Sequence, residues 1–178
     1  VYKRQTVDRT VGAILSGAIA KKYGNKGLPN DTININFNGI AGQSFGGYLI
    51  NGINLTLEGE ANDYVGKSMN GGTITIYPNT RTNFEIEGNS IVGNTVLYGA
   101  TGGSLFASGA AGERFCVRNS GALTVVEGVG DHACEYMTGG EVYIIGPVGK
   151  NLGAGMSGGI AYIYNQNKNI VEQVNEEM

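Results

Sequence analysis

The chain has 178 residues, of which 41% are apolar, and it carries a formal net charge of −3 with a sequence pI of 5.2. This length predicts one domain, and no apolar run is long enough to span a bilayer, so we expect no membrane association. The twelve Lys and Arg residues are scattered rather than clustered, which argues against nucleic acid as a partner.

The N-terminus predicts one amphipathic helix within residues 8–24. Apolar residues follow the spacing of one helical face, at Val11, Ile14, Leu15, Ala18 and Ile19. Asp8 can cap the start, and Lys21, Lys22 and Gly24 suit the end. We expect this helix to cover one end of the domain. Because residues 1–10 carry charge and lack the apolar segment of a signal peptide, we also expect a cytoplasmic protein.

A glycine phrase then recurs through residues 33–164. It consists of Met or Ala, then Asn, Thr or Ser, then two glycines, at 69–72, 100–103, 137–140 and 156–159, with a looser copy at 119–122. From Gly102 onward the first glycines are 19, 18 and 19 residues apart. Such a period suits one coil of a solenoid in which every coil adds a strand to the sheet below.

Aligning the coils predicts columns of stacked side chains. One inner apolar column holds Val96, Phe115, Ala133 and Leu152; two further columns hold Phe106, Val125, Tyr143 and Tyr162, and Ala107, Val126, Ile144 and Ile163. Gly109, Gly128, Gly146 and Asn165 recur where the chain turns, and we expect left-handed φ values there.

The coils before Gly102 are less regular, and the end of the chain differs from both. Gly46 to Gly71 is 25 residues and Gly71 to Gly102 is 31, so we expect extra residues to bulge at corners, chiefly from Pro78 to Asn89. Residues 165–178 form a polar tail with a predicted short helix leaning on the outside. We assign residues 1–178 to a single β-helix domain.

Longer motifs occur in a fixed order from Asp8 to the end of the chain. They lie at residues 8–12, 15–17, 27–29, 36–37, 42–46, 61–67, 93–103, 111–115, 117–121, 125–128, 130–132, 134–140 and 153–159. This string resembles the C-terminal β-helix domain of the large, alpha subunit of glutamate synthase, although Cys116 and Ala133 stand where Ala and Gly are expected. The resemblance implies an all-β fold: a single-stranded right-handed parallel β-helix of about six to seven coils with an N-terminal amphipathic helix.

The resemblance also implies a function. In that family the β-helix is a structural piece beside a glutaminase domain and a synthase domain with FMN and an iron–sulfur cluster, which together convert glutamine plus 2-oxoglutarate to two glutamates. It implies a non-catalytic scaffold here, with the cofactors in the partner synthase domain and no catalytic, cofactor-binding or metal residue in this chain. A more distant resemblance leaves open a β-helix subunit of another redox complex, such as formylmethanofuran dehydrogenase, or a free-standing interaction module.

Two motifs invite a chemical interpretation that their context opposes. Residues 153–158 spell G-x-G-x-x-G, but they run into a predicted strand, whereas a dinucleotide site needs a helix there. Residues 131–135 hold Asp, His, Cys and Glu, yet a zinc site needs about four convergent ligands and the chain has no second histidine. Treated as a strand, this segment places His132 and Cys134 on one face and Glu135 on the other. We expect His132 to hydrogen-bond within a corner or at a domain contact.

The two cysteines and a group of charged residues are the remaining candidates for a functional role. Cys116 and Cys134 each lie four residues after a coil glycine, so they should stack on adjacent coils as two free thiols packed as small apolar groups. Arg114, Arg118, His132 and Glu135 lie in adjacent columns and form a candidate interdomain contact that docks the synthase domain. Solvated surface charge is the alternative interpretation.

Overall fold

A computed structural model gives the fold and describes residues 2–4, 7–79, 89–164 and 170–175. In chain order the described elements are β1 (Tyr2–Arg4), α1 (Ala13–Tyr23), a 3-10 helix (Gly24–Lys26), β2 (Ile33–Ala41), β3 (Ile53–Ala61), β4 (Asn70–Tyr77), β5 (Ser90–Val92), β6 (Gly102–Ala111), β7 (Ser120–Gly128), β8 (Thr138–Ile144), β9 (Gly158–Ile163) and α2 (Ile170–Gln173).

The strands form one parallel sheet that follows the order of the chain. Neighbours run β1-β2-β3-β4-β6-β7-β8-β9, and β5 pairs with β3 and β6. Every pairing is parallel. Because consecutive strands are parallel, the backbone must return to the same end of the sheet before each new strand begins. Here it does so by winding into a solenoid of about six turns. The predicted all-β parallel β-helix is confirmed.

Side chains at equal positions of successive coils stack in the predicted columns. The register aligns Phe106 with Val125, Tyr143 and Tyr162, and Ala107 with Val126, Ile144 and Ile163. The first column faces outward and the second faces the core, since Phe106 is 38% exposed and Ala107 is 6% exposed. The predicted column from Val96 to Leu152 is also buried. Burial of each large apolar side chain contributes about 1.5–3 kcal/mol, so the columns hold the coils together.

The side of each coil that follows the strands is built from left-handed residues. In six described segments, alternate residues have φ between 52° and 75°: Ser44, Gly46 and Tyr48; Tyr64, Gly66 and Ser68; Thr95, Leu97 and Gly99; Arg114, Cys116 and Arg118; His132, Cys134 and Tyr136; Asn151, Gly153 and Gly155. We call these segments, residues 44–48, 64–68, 95–99, 114–118, 132–136 and 151–155, the turn ladder.

Hydrogen bonds of the turn ladder alternate between the coils above and below. The middle left-handed residue donates to the preceding coil, as Cys116 N–H does to the Val96 carbonyl at 2.9 Å. The outer two donate to the following coil, as Arg114 and Arg118 do to the carbonyls of Asp131 (2.8 Å) and Glu135 (2.9 Å). These bonds offset the cost of left-handed geometry, roughly 1–2 kcal/mol for each residue other than glycine.

The glycines predicted at one corner have different roles. Gly109 is in the left-handed half of φ space, at 146°, as expected. The prediction is wrong for Gly128 and Gly146, which do not have positive φ. A register shift after Ala107 pairs Gly128 with Ala110 instead of Gly109. At Gly146 the reason for glycine is space, because a Cβ there would collide with the Glu127 carbonyl oxygen of the preceding coil. The fourth position, Asn165, lies outside the described residues.

In the looser copy of the glycine phrase, at residues 119–122, a side chain replaces the second glycine in forming the turn. The second glycine of each full copy has positive φ, from 77° to 89° at Gly72, Gly103, Gly140 and Gly159. At the equivalent position Ala122 does not, and the buried Asn119 side chain holds the turn instead. Its Oδ1 accepts from Ala122 N–H at 2.9 Å, and its Nδ2 donates to the Ala122 carbonyl at 3.0 Å.

The coils before Gly102 are more regular than the glycine intervals suggest. Ile33 pairs with Ile53 and Asn54 with Thr73, so the 25-residue interval compares two positions that are not equivalent. The counterpart of Gly46 in the turn ladder is Gly66, not Gly71, and the predicted insertion there is wrong. Of the second predicted excursion, 80–88 lie outside the described residues, between β4 and β5.

The N-terminal helix is shorter than predicted, and its buried side differs. Gly12, not Asp8, is the N-cap residue, with φ of 100° and no side-chain cap. Ile19 is buried and Leu15 packs against the core, but Ile14 is 91% exposed, so the predicted apolar stripe is only partly correct. The segment before the helix joins the first coil, where Val11 accepts from Gly46 N–H. No described helix is long and apolar enough to cross a membrane.

The described part of the C-terminal tail covers the last coil. The short helix α2 is present as predicted, and the partly buried Ile170 and Val174 pack against the core. Leu152 N–H donates to the Gln173 carbonyl, and Asn175 N–H donates to the Leu152 carbonyl, both at 2.9 Å. Residues 165–169 and 176–178 of the predicted tail lie outside the described residues.

Candidate interdomain contact surface

The four residues of the predicted contact lie together on the turn ladder. Arg114 and His132 occupy the first left-handed position of two successive segments. Arg118 occupies the last position of its segment, and its N–H donates to the carbonyl of Glu135 on the next coil. Both arginines are exposed, while the His132 and Glu135 side chains are 33% and 15% exposed. The four residues therefore lie on two successive segments of the turn ladder, and we call them the polar patch (Arg114, Arg118, His132 and Glu135).

His132 and Glu135 interact directly, which the strand interpretation did not allow. His132 Nδ1 lies 2.7 Å from Glu135 Oε1. The two side chains meet because residues 131–136 form a turn instead of a strand, so the alternation of faces does not apply. The His132 tautomer that carries its proton on Nδ1 donates this bond to Glu135. The expectation that His132 bonds within a corner is confirmed, and Nε2 is left for another partner.

Aromatic residues extend the surface beside the charges. The Arg118 guanidinium lies 5.9 Å from the centre of the Tyr136 ring, and Lys67 Nζ lies 5.5 Å and 6.0 Å from the rings of Tyr64 and Tyr98. Tyr and Arg are enriched in the energetic centres of protein interfaces. These tyrosines were not among the predicted contact residues, although tyrosine recurs within the turn ladder at Tyr48, Tyr64, Tyr98 and Tyr136.

The two cysteines are free, as predicted, and their burial disfavours the reactive thiolate. Both are buried, and Cys134 N–H donates to the carbonyl of Phe115, the neighbour of Cys116. Burial, together with the nearby Cys134, raises the pKa of the Cys116 thiol well above its ordinary value. Burial raises the pKa of Cys134 from 9.0 to about 12. Both therefore stay protonated at neutral pH, whereas a nucleophilic cysteine needs a lowered pKa.

The two motifs with a chemical interpretation have different surroundings from those that a metal or nucleotide site needs. No three His, Cys, Asp and Glu side chains of the described residues are grouped so as to hold a metal ion. The glycines at 153–158 lead into β9, not into a helix, as the sequence indicated. A depression lined by Gly39, Glu58, Glu60 and Pro78 has a volume of about 160 Å³, below the roughly 300–1,000 Å³ of small-molecule sites.

Comparison with known proteins gives a single family over the whole chain. The family described as GXGXG motif matches residues 2–178. The chain is 58% identical over 177 residues to ferredoxin-dependent glutamate synthase 2 of Synechocystis, covering 99% of this chain and 11% of that protein. It is 58% identical over 171 residues to glutamate synthase [NADH] of Schizosaccharomyces pombe, covering 96% of this chain and 8% of that protein. The chain thus spans about a tenth of the length of the curated relatives it matches.

Proposed function

The chain belongs to the GXGXG motif family, and we propose that it is a non-catalytic structural domain of a glutamate synthase. In this proposal it supports a glutaminase domain and an FMN and iron–sulfur synthase domain, which convert glutamine plus 2-oxoglutarate to two glutamates in the cytoplasm. One observation carries the proposal. Nearly the whole chain, 99% of it, is 58% identical to a part that makes up 11% of a glutamate synthase.

The cysteines of the chain do not fit the iron–sulfur cluster of such an enzyme. An iron–sulfur cluster is usually held by about four cysteine thiolates. The sequence has two cysteines, and both are buried with raised pKa values. We therefore assign the cluster to the partner synthase domain, propose that FMN is held there too, and derive no catalytic step for this chain.

What the chain supplies is a rigid support with a shaped surface. Its coils are joined by backbone hydrogen bonds along both the sheet and the turn ladder. The polar patch presents two arginines and the free Nε2 of His132 to a partner. We propose that the synthase domain docks there, with carboxylates opposite the arginines, since guanidinium–carboxylate pairs give directional recognition.

Domain replacement tests this proposal. In the Synechocystis relative, this chain replaces the matching 177 residues, and glutamate formation from glutamine and 2-oxoglutarate is measured with reduced ferredoxin. We expect the chimera to assemble and to form glutamate. We expect Arg118→Glu to separate the domains in limited proteolysis, while the urea unfolding of the isolated 178-residue chain is unchanged.

Lys21→Glu is the matched control, because it makes the same charge change on helix α1, away from the polar patch. Normal assembly of the Arg118→Glu chimera would reject the polar patch as the docking surface. A wild-type chimera that folds without forming glutamate would count against the scaffold role. Glutaminase activity of the isolated chain would overturn the assignment as non-catalytic.

A further inference from the structure

The outer face of the sheet changes character along the solenoid. In β2, β3 and β4 its two central columns carry only polar residues: Asn34, Asn36, Asn54, Thr56, Thr73 and Thr75. In β6 to β9 the same columns are mostly apolar, with Phe106, Leu123, Val125, Tyr143, Ile160 and Tyr162. We call the second set the apolar outer face. The two halves are continuous, since β4 pairs with β6.

The polar half is a surface suited to water. Asn54 Nδ2 donates to Asp31 Oδ1 at 2.7 Å and to Asn34 Oδ1 at 2.8 Å, so its amides bond one another across coils. Asn34 and Asn36 are exposed. Nothing in the geometry of the coil prevents such residues in β6 to β9, because the register of the columns is the same.

The apolar half leaves large side chains uncovered. Phe106 is 38% exposed, Ile160 is 50% exposed and Tyr162 is 47% exposed. Tyr143 and Tyr162 stack with ring centres 4.7 Å apart and an interplanar angle of 14°. Because neighbouring strands of a sheet are about 4.8 Å apart, these side chains form one contiguous patch. Contiguous apolar patches on a folded domain mark interaction surfaces.

Charge on this patch is of one sign. Glu127 Oε1 accepts from Ser108 Oγ at 3.1 Å, and Glu141 Oε2 accepts from the Tyr143 hydroxyl at 2.9 Å. The sequences of β6 to β9 contain no lysine or arginine. Glu141 lies in a central column, between Leu123 and Ile160. A complementary surface is therefore mainly apolar and carries Lys or Arg opposite Glu127 and Glu141.

We propose that the apolar outer face is a second docking surface, covered by another domain of the same glutamate synthase polypeptide through a mainly apolar patch that carries Lys or Arg opposite Glu127 and Glu141. The inference rests on the proposed function. It adds a contact on the sheet, distinct from the polar patch on the turn ladder. The relatives supply the occupant, since about nine-tenths of the Synechocystis protein lies outside the matching 11%.

The same chimera tests this surface. Hydroxyl-radical labelling of Phe106 and Tyr162 is compared between the isolated chain and the chimera. We expect both to be protected in the chimera, with Ile40 on the outer side of β2, 46% exposed, labelled equally in both as the reference. We also expect Val125→Lys with Tyr162→Lys to raise the rate of proteolytic release of the domain by about tenfold, the loss of one interfacial hot spot.

The control is Thr56→Lys with Thr75→Lys, which puts the same charges on the polar half of the same column and should leave release unchanged. Equal labelling of Phe106 and Tyr162 in the isolated chain and in the chimera would overturn the inference. This comparison uses only the wild-type sequence, so it does not depend on whether a variant folds. A chimera that forms glutamate and is separated by Arg118→Glu but not by the Val125 and Tyr162 changes would overturn this surface alone.

Two further outcomes are decisive. A wild-type chimera that folds but forms no glutamate removes the proposed function and this inference with it. Sedimentation of the isolated 178-residue chain is expected to show a monomer. A dimer that the Val125 and Tyr162 changes dissociate would identify a second copy as the occupant and contradict the proposal.

Discussion

The sheet side and the turn ladder join the same coils by different means. On the sheet, most residues have ordinary strand geometry and are free to be chosen for their column, inward or outward, and the positive-φ positions within the strands are glycines such as Gly103 and Gly140. In the turn ladder, alternate residues are held at positive φ whether or not they are glycine, as Leu97 and Arg114 show. The sheet is therefore specified by side chains, and the turn ladder by the hydrogen bonds that its unusual backbone makes with the coils above and below.

This contrast separates two sources of stability. Both sides point large side chains into one core, so removing them is costly on either side. Only the turn ladder carries local strain that neighbouring coils must offset. Substitutions of one kind, placed on the two sides, should therefore give effects of different size or sign.

The largest expected loss of stability follows from removing a large buried side chain from the core beneath the turn ladder. Phe115 is 0% exposed, whereas Phe106 on the outer sheet is 38% exposed. We expect Phe115→Ala to lower the free energy of unfolding by about 3–5 kcal/mol and Phe106→Ala to lower it by about 1 kcal/mol. Urea unfolding measures both. Equal losses would mean that Phe115 does not point into the core.

The next largest effect on stability is expected where one coil lies close to the coil below. A Cβ added at Gly158 would stand 2.5 Å from the Thr138 carbonyl oxygen, whereas one added at Gly17 of α1 meets nothing within 4 Å. We expect Gly158→Ala to destabilise by about 1–3 kcal/mol and Gly17→Ala to stabilise by about 0.5–1 kcal/mol. If thermal unfolding shows the same sign for both, the coils are not in contact at Gly158.

The buried thiols predict a dependence on pH. An unfolded thiol loses its proton near its ordinary pKa, but folded Cys134 keeps it until about pH 12. Above the unfolded pKa the native state binds more protons than the unfolded state, so stability falls as pH rises, by about 1.4 kcal/mol per pH unit for each thiol. This contribution is fully present below about pH 8.5.

Urea unfolding at pH 7.5 and pH 10 measures this effect, with Cys134→Ala as the comparison. The variant should lose less stability over that interval than the wild type. In the native protein at pH 8, a thiol reagent should react far more slowly than after unfolding. Rapid labelling of the native protein would contradict the burial of both cysteines.

The smallest expected effect is also the one that most sharply separates the two sides. Thr95 sits in the turn ladder with φ of 57°, which a β-branched residue disfavours, and Thr75 sits in β4. We expect Thr95→Gly to stabilise by about 0.5 kcal/mol by relieving that strain, and Thr75→Gly to destabilise by about 1 kcal/mol. Two losses of equal size would show that the turn ladder stores no strain at Thr95.

Much of the sheet side could be predicted from the sequence. Repeats of 18 or 19 residues fixed the register, and the column from Phe106 to Tyr162 follows it. The family resemblance is confirmed by the GXGXG match and by relatives at 58% identity. The irregular glycine intervals led to a wrong prediction of an insertion between Gly46 and Gly71, because these two glycines occupy different places in their coils.

The turn ladder could not be predicted, and the reason is physical. Only some of its left-handed positions are glycine, and residues such as His132 and Cys134 carry no local signal for positive φ. Treating them as a strand therefore gave the wrong faces for His132 and Glu135. The helix was mispredicted in a related way. Its apolar spacing did not show that the first coil leaves Ile14 in solvent while burying Ile19.

Hydrogen-bond scalar couplings measured by NMR test most directly whether the coils stack through the turn ladder. The account predicts couplings from Cys116 N–H to the Val96 carbonyl, from Cys134 N–H to Phe115 and from Gly153 N–H to Ala133, each joining one coil to the coil before it. Couplings from these amides to carbonyls three or four residues earlier in the chain would contradict it.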